Sequence, residues 1–299
     1  MARIAFLLLC HKDVDGVAAL ARALTAAGDF VAIHHDGAAP KADFERLRAA
    51  LDGVAGVTFA RRRIRCGWGE WSLVEASLQA LRAARAVFAE ATHFYLISGD
   101  CRPVKSSEYA RAMLDAAPAD YIESVDFFDS DWIKTGMKEE RLIYRHFFNE
   151  RKNKALFYGS YKLQQRLGLI RKIPSDIQVQ IGSQWWCLRR RTVEAILHFL
   201  KQRKDVIRFF RTTWIPDETF FQTLVRHLVP ETEIDCRTLT FLMFTDYGMP
   251  VNFYNDHYDL LLSQDFLFAR KISPEAKELK TRLGKLYATT GVRFQISDE

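Results

Sequence analysis

Trp214-Ile215-Pro216-Asp217-Glu218 sets two carboxylates at the start of a helix-patterned stretch. Asp217 is expected at the N-cap or in the first turn, where an acid stabilises a helix against its dipole. Glu218 turns about 100° away from it and can face a cleft, where a carboxylate of suitable pKa acts as a general base. Cations that could hold a diphosphate stand late in the chain, at Arg237 and at Arg270-Lys271. Arginine and lysine grip such groups by charge-assisted hydrogen bonds, arginine two oxygens at a time. Each feature also has a plain structural reading, as helix-end acids or surface cations.

Four polar clusters follow short apolar runs: His11-Lys12-Asp13, His34-His35-Asp36, Ser98-Gly99-Asp100 and Glu123-Ser124. Open parallel sheets bind ligands outside the carboxyl ends of their strands, so four such clusters suggest one sheet edge that carries a site. Residues 61–72 read RRRIRCGWGEWS. Glycine lets a backbone approach a ligand, and a tryptophan face suits a base or a sugar ring. No second half of a dinucleotide fingerprint follows the G-x-G fragment, which disfavours a dinucleotide. An aromatic packing corner is the structural alternative.

Metal ligation is disfavoured. After the apolar run at 94–97 comes Asp100-Cys101-Arg102, which puts an arginine where a D-x-D motif would carry its second carboxylate. Mg²⁺ and Mn²⁺ want oxygen ligands. Asp129 and Asp131 read as a turn or cap. The five cysteines are odd in number and scattered, without a C-x-x-C pair, and are expected to be reduced thiols in a cytosolic protein.

The elements that must position these residues alternate. Strands are expected at 4–10, 30–34, 57–59, 94–97, 121–124 and 184–188, with a last one near 238–244. Helices are expected at 15–27, 41–51, 75–89, 192–202, 217–227 and 274–287. That rhythm predicts an α/β fold, a mainly parallel central sheet flanked by helices. With 48% hydrophobic and 27% charged residues, the chain of 299 residues is long enough for one large domain and excludes disordered or collagen-like classes. The run at 4–10 is too short for a signal or a span, and no stretch approaches the roughly 18 apolar residues of a membrane helix. The net charge of +6 favours an anionic partner. Residues 151–172 hold seven Lys or Arg and no acid, interleaved with Leu, Tyr, Phe and Ile. They read as a basic amphipathic surface segment, able to meet an anionic membrane or acidic glycan, or as an insertion packed on the domain.

Several segments together resemble the core-2/I-branching β-1,6-N-acetylglucosaminyltransferases and peptide O-xylosyltransferases, the inverting glycosyltransferase family 14. The similar strings are IAFLLLCHKD, VAIHHD, CGWGEWSLVEA, YLISGDCRPVKS, GSQWWCL, PDETFFQT and LFARKI, in family order between residues 4 and 272. The resemblance implies a GT-A-like fold and a UDP-sugar donor, UDP-N-acetylglucosamine or UDP-xylose, used without a divalent metal. It assigns Glu218, in P-D-E, as the catalytic base, Lys271 with Arg237 to the diphosphate, and residues 34–36 to uridine.

On that reading the donor side comprises His11, Asp36, Arg65, Trp68, Gly69, Ser98 and Asp100, with Arg237, Arg270 and Lys271. The acceptor side comprises Glu123, Gln184, Trp185, Trp186 and Trp214. Gln184 stands where the xylosyltransferases carry Asp, and an amide cannot take up a proton as a base. One domain over 1–299 is expected, with 1–125 as the nucleotide-sugar half and 126–299 as the acceptor and catalytic half. The resemblance implies an inverting transferase acting on a glycan or lipid-linked acceptor. The animal enzymes are membrane-anchored and disulfide-rich, and this chain departs from them in both respects, so a bacterial cytosolic relative is expected, with the basic segment 151–172 allowing peripheral contact at the inner membrane face. A non-catalytic nucleotide- or glycan-binding module of the same fold is the alternative. No nucleic-acid module is recognised.

Overall fold

The computed structural model describes residues 1–288; residues 289–299, the end of the expected domain, lie outside the described residues. Ile4–Cys10 (β1) is apolar throughout because it is the inner strand, buried on both faces. Phe30–His35 (β2) and Val57–Phe59 (β3) follow on one side, parallel, and His93–Ser98 (β4) lies parallel on the other. Arg102–Pro103 (β5) leaves this sheet, Asp120–Tyr121 (β6) returns to it, and Val125–Asp126 (β7) pairs with Gln180–Ile181 (β8) as a small ribbon. Cys187–Arg189 (β9) and Ile234–Asp235 (β10) complete the main sheet in the order β10-β6-β9-β4-β1-β2-β3. Only β9 runs antiparallel to its neighbours. Thr240–Leu242 (β11) and Phe268–Arg270 (β12) join β5 in a second sheet.

Side chains alternate along β1. Ala5 and Leu7 enter one core with the helices Trp71–Val87, Arg190–Gln202 and Phe220–Leu228. Ile4, Phe6 and Leu8 enter the other, with the helix Val14–Ala26 and Tyr287. Phe6 packs on Tyr95 and Phe268, which ties the second sheet to the first. Asp13 caps the helix Val14–Ala26 by accepting the Gly16 N–H at 3.2 Å and takes Lys280 at 2.8 Å. Among the described residues no helix is long and apolar enough to cross a membrane.

Four expectations change. The strand predicted at 184–188 starts only at Cys187, and Ser183, Gln184 and Trp185 before it line a cavity instead. The strand predicted at 238–244 shortens to Thr240–Leu242 and belongs to the second sheet. The helix predicted at 217–227 splits into a 3₁₀ turn, Pro216–Glu218, and the helix Phe220–Leu228, and Asp217 caps neither. The basic stretch forms the helix Lys154–Arg166 and a following loop, yet Arg171 is not a surface cation. Its guanidinium is buried, donating to the Phe209 carbonyl and Thr212 Oγ1 at 2.7 Å, to Thr213 Oγ1 at 2.8 Å, and to the Leu142 carbonyl. Burial without a carboxylate pushes its pKa down to about 9.

Candidate active site

Strand register builds the first wall. Cys10 lies opposite His35, and Leu9 opposite Ser98, so His11, Asp36 and Asp100 leave the sheet at one edge. They line a cavity of about 180 Å³ with Ser98, Gln184, Trp185, Arg270 and Lys271. Asp36 accepts backbone N–H bonds from Ala38 at 2.6 Å and Cys66 at 3.2 Å. His34 Nε2 accepts the Ile64 N–H at 2.8 Å, and burial lowers its pKa to about 4, so the ring is neutral. Asp100 faces Lys12 at 3.4 Å. Arg102 points elsewhere: it is buried and donates to the carbonyls of Gly99 at 2.8 Å, Cys101 at 2.6 Å and Gly16 at 3.1 Å.

The second sheet delivers the cations. Ala269 pairs with Arg102 across β12 and β5, and the Ile272 N–H donates to the Asp100 carbonyl at 2.9 Å, so Arg270 and Lys271 arrive beside the strand-end wall. The Arg270 guanidinium lies 4.2 Å from the Trp185 ring centre, a cation–π contact that fixes its direction. Burial and the neighbouring Arg270 push the Lys271 pKa down, the cost of two adjacent cations in a half-buried place.

Arg270, Lys271, Gln184 and Trp185 also line a larger cavity of about 690 Å³, whose lining includes Glu123, Asp217 and Glu218. Ile215 takes a left-handed conformation (φ 53°) just before the 3₁₀ turn, and its N–H donates to the Gly69 carbonyl at 3.0 Å. Gly182 is wedged between the two acidic segments. Its N–H donates to the Glu218 carbonyl at 2.9 Å, and a β-carbon there would fall 1.8 Å from the Glu123 carbonyl oxygen, so only glycine fits.

Glu218 lines the larger cavity as a partly exposed carboxylate. Its side chain is 34% exposed, and Oε2 accepts from Arg141 Nη1 at 3.2 Å. Burial raises its pKa, and the Arg141 charge opposes that rise without cancelling it. The result is a carboxylate more basic than a free one, held in one direction by a buried arginine. Asp217 beside it has an Oδ1 atom with no partner, and burial plus the Glu218 charge lift its pKa to about 7.

A family model described as Core-2/I-Branching enzyme matches residues 4–256, most of the chain. The chain belongs to the core-2/I-branching enzyme family. The match includes Gly182 to Trp185 and the P-D-E string; Arg270 and Lys271 fall beyond it, where a model of a family of unknown function matches residues 270–299. Xylosyltransferase 2 of Homo sapiens is 27% identical over 240 residues, covering 79% of this chain and 25% of that protein. Xylosyltransferase oxt of Drosophila pseudoobscura pseudoobscura is 26% identical over 231 residues, covering 75% of this chain and 24% of that protein. The chain thus spans about a quarter of the length of the curated relatives it matches. A solved galactosyltransferase, LgtC in complex with donor and acceptor sugar analogues, overlaps with a TM-score of 0.39 at 12% identity, over 97% of this chain and 98% of that one. The apo structure of the bifunctional glycosyltransferase WbbM overlaps with a TM-score of 0.38 at 9% identity, over 96% of this chain and 52% of that one. Overlaps of that size carry no argument about function.

The expected site residues divide between the two cavities. His11, Asp36, Ser98, Asp100, Arg270 and Lys271 meet at the smaller cavity, and Glu123, Gln184, Trp185 and Glu218 at the larger one. Six other residues, Gly69 among them, are placed differently from expectation. Trp186 is fully buried against Phe221 and belongs to the core, because neighbouring residues of an extended segment face opposite ways. Trp214 lies in a side cavity of about 310 Å³ with Gly69, and packs on Trp68 and Phe157. Trp68 lines that side cavity and the larger cavity, away from the strand ends. Arg65 is exposed and lines neither the smaller nor the larger cavity. Arg237 is occupied by Asp235 at 3.1 Å and Asp265 at 3.0 Å, and it too stands outside both.

Sequence reading missed Arg141 and Arg151. Arg141 carries no motif. Arg151 lies 3.9 Å from the Trp68 ring centre and lines the larger cavity, at the head of the basic run that could have pointed to it.

Proposed function

We propose that the chain transfers N-acetylglucosamine or xylose from a UDP-sugar to a hydroxyl of a glycan or lipid-linked acceptor, with inversion and without a divalent metal. The observation that carries this reading is that Arg270 and Lys271 line both cavities and share the larger one with Glu218. The uridine end of the donor fits the strand-end cavity, where Asp36 offers a carboxylate and His11 and Ser98 add polar contacts. Its diphosphate then meets Arg270 and Lys271, and the anomeric carbon faces the larger cavity.

Glu218 takes the proton of the acceptor hydroxyl as its oxygen attacks the anomeric carbon from the face opposite the diphosphate. The bond from that carbon to the diphosphate oxygen breaks, and UDP leaves with the electron pair. Charge that grows on the leaving oxygen is met by fixed cations, a stabilisation larger in the transition state than in the bound substrate. Gln184 cannot serve as the base; of the carboxylates on the larger cavity, Glu218 is the one the family resemblance assigns to that task, and Arg141 orients it. The names of the curated relatives make UDP-xylose the first donor to try, and UDP-N-acetylglucosamine the second. Residues 1–125 supply most of the nucleotide wall and the later residues the base. We place the enzyme in the cytoplasm.

The test is a UDP-sugar panel read by protection against melting and by UDP release, since a bound donor raises stability by mass action. The expected result is protection by one UDP-sugar and by UDP, and a product of inverted anomeric configuration. Protection by no uridine nucleotide, or retention of configuration, overturns the reading.

A further inference from the structure

Outside the cavities the largest anomaly is the segment 151–172. Its helix, Lys154–Arg166, turns Phe157 and Gln164 inward and little else. Leu156 is 53% exposed, Leu163 56% and Leu167 60%, and they sit seven and four residues apart, on one helical face. Leu169 and Ile170, 50% and 60% exposed, follow in the loop after the helix. Exposed apolar side chains scattered singly are ordinary, but five on one short segment mark a contact surface.

The flanking charge chooses the partner. Lys152, Lys154, Lys162, Arg166 and Lys172 are exposed around the ridge, and no acid stands between 151 and 172. A leucine ridge framed by cations is the pattern of a helix that lies in a membrane interface, apolar side in the acyl boundary and ammonium groups among anionic headgroups. We propose that this segment docks the protein on anionic lipid bilayers.

The ridge is coupled to the site. Phe157, on the inward side, packs 5.3 Å from Trp214, and Trp214 packs 6.1 Å from Trp68 on the rim of the larger cavity. Docking through this helix therefore holds the mouth of that cavity near the lipid surface, where a lipid-linked acceptor would present its hydroxyl. That last step rests on the function proposed above; the docking does not.

Vesicle sedimentation tests it with the full chain, using phosphatidylcholine vesicles with and without phosphatidylglycerol. Recovery is expected with the anionic vesicles only, and is lost in high salt. Replacing Lys152, Lys154, Lys162 and Lys172 together with Gln should weaken binding by roughly several hundredfold, about fivefold per cation. Arg171 is left intact because it holds the core together. Replacing Leu156, Leu163 and Leu167 with Ser should weaken binding at low salt as well. Both variants should keep UDP protection against melting, which shows that fold and nucleotide site survive. Equal recovery of wild type and the four-Gln variant overturns the proposal. So does concentration-dependent self-association that the serine variant abolishes while vesicles capture nothing, which would make the ridge an interface between copies. Binding to a soluble acidic polysaccharide without binding to vesicles overturns it too. A chain that sediments with vesicles but transfers no sugar keeps the docking and loses the proposed function.

Discussion

The two walls of the site are built in different ways. On the strand-end wall, β1, β2 and β4 lie in one hydrogen-bonded register, and the polar residues that follow them have nowhere else to go. On the other wall, Glu218 arrives through a left-handed Ile215, a 3₁₀ turn, a glycine wedged between two backbones, and an arginine 77 positions away in sequence. The first wall is a consequence of local apolar runs that pair side by side. The second depends on long-range packing, so it can place a charge where local rules would not. That explains where the raised pKa values fall: the Glu123, Asp217 and Glu218 carboxyls are all pushed up by burial on the second wall.

If the second wall carries the proton chemistry, its base should dominate every other substitution. Glu218→Gln keeps size and most hydrogen bonding but removes proton affinity, so transfer should fall by roughly a hundredfold or more while UDP protection is kept. Because burial raises the Glu218 pKa, the acid limb of kcat/KM should lie above the ordinary glutamate value of 4.5 and vanish in the variant. Near-normal transfer by Glu218→Gln would move the base elsewhere.

The cations sharpen the same contrast. Lys271→Ala removes a charge-assisted contact from the shared wall and should weaken UDP binding by about 1.5–3 kcal/mol, read by calorimetry. Arg237→Ala removes a cation already spent on Asp235 and Asp265 and should leave UDP affinity unchanged. A large loss from Arg237→Ala with none from Lys271→Ala would invert the assignment.

How much of this could be read from residues alone follows the same division. The runs at 4–10, 30–34 and 94–97 were legible because a strand covered on both faces must be apolar, and the polar clusters after them followed from that. Pro216-Asp217-Glu218 looked like an ordinary helix start, and nothing local announces the positive φ at Ile215 that turns both carboxylates toward a cavity. Trp185 and Trp186 were both expected at the acceptor. Alternation in an extended segment allows only one of them to face it, so that signal was present and unused. The count of charge over 151–172 misled at Arg171, and the resemblance could not show that Arg237 is already paired with Asp235 and Asp265, since a cation is available only after its partners are known.

Asp217 offers a separate effect, on stability. Its folded pKa of about 7 lies above the free value of 3.8, so the folded state keeps a proton that the unfolded chain has lost. Stability from this group is fully present below the free value and is lost as pH rises through about 7. Asp217→Asn removes that loss and should be more stable than the wild type above neutral pH, by up to about 4 kcal/mol, and no more stable in acid. Melting curves at both ends of the range decide it. An advantage that persists in acid would mean that the gain comes from amide hydrogen bonding.

The smallest expected effect is none, and it concerns the strand-end wall. A metal at the diphosphate would need Asp100 and a second oxygen ligand near it. Asp100 instead faces Lys12 at 3.4 Å, and the guanidinium of Arg102, in the position of a second carboxylate, is tied to three backbone carbonyls. Arg270 and Lys271 already bring positive charge to this place, and a divalent ion beside them would meet repulsion before it met a ligand. Transfer should therefore be unchanged in excess EDTA and unchanged on adding Mn²⁺, in the same assay that shows the loss with Lys271→Ala. Activity abolished by the chelator and restored by Mn²⁺ would give the strand-end wall the charge chemistry assigned to the second sheet.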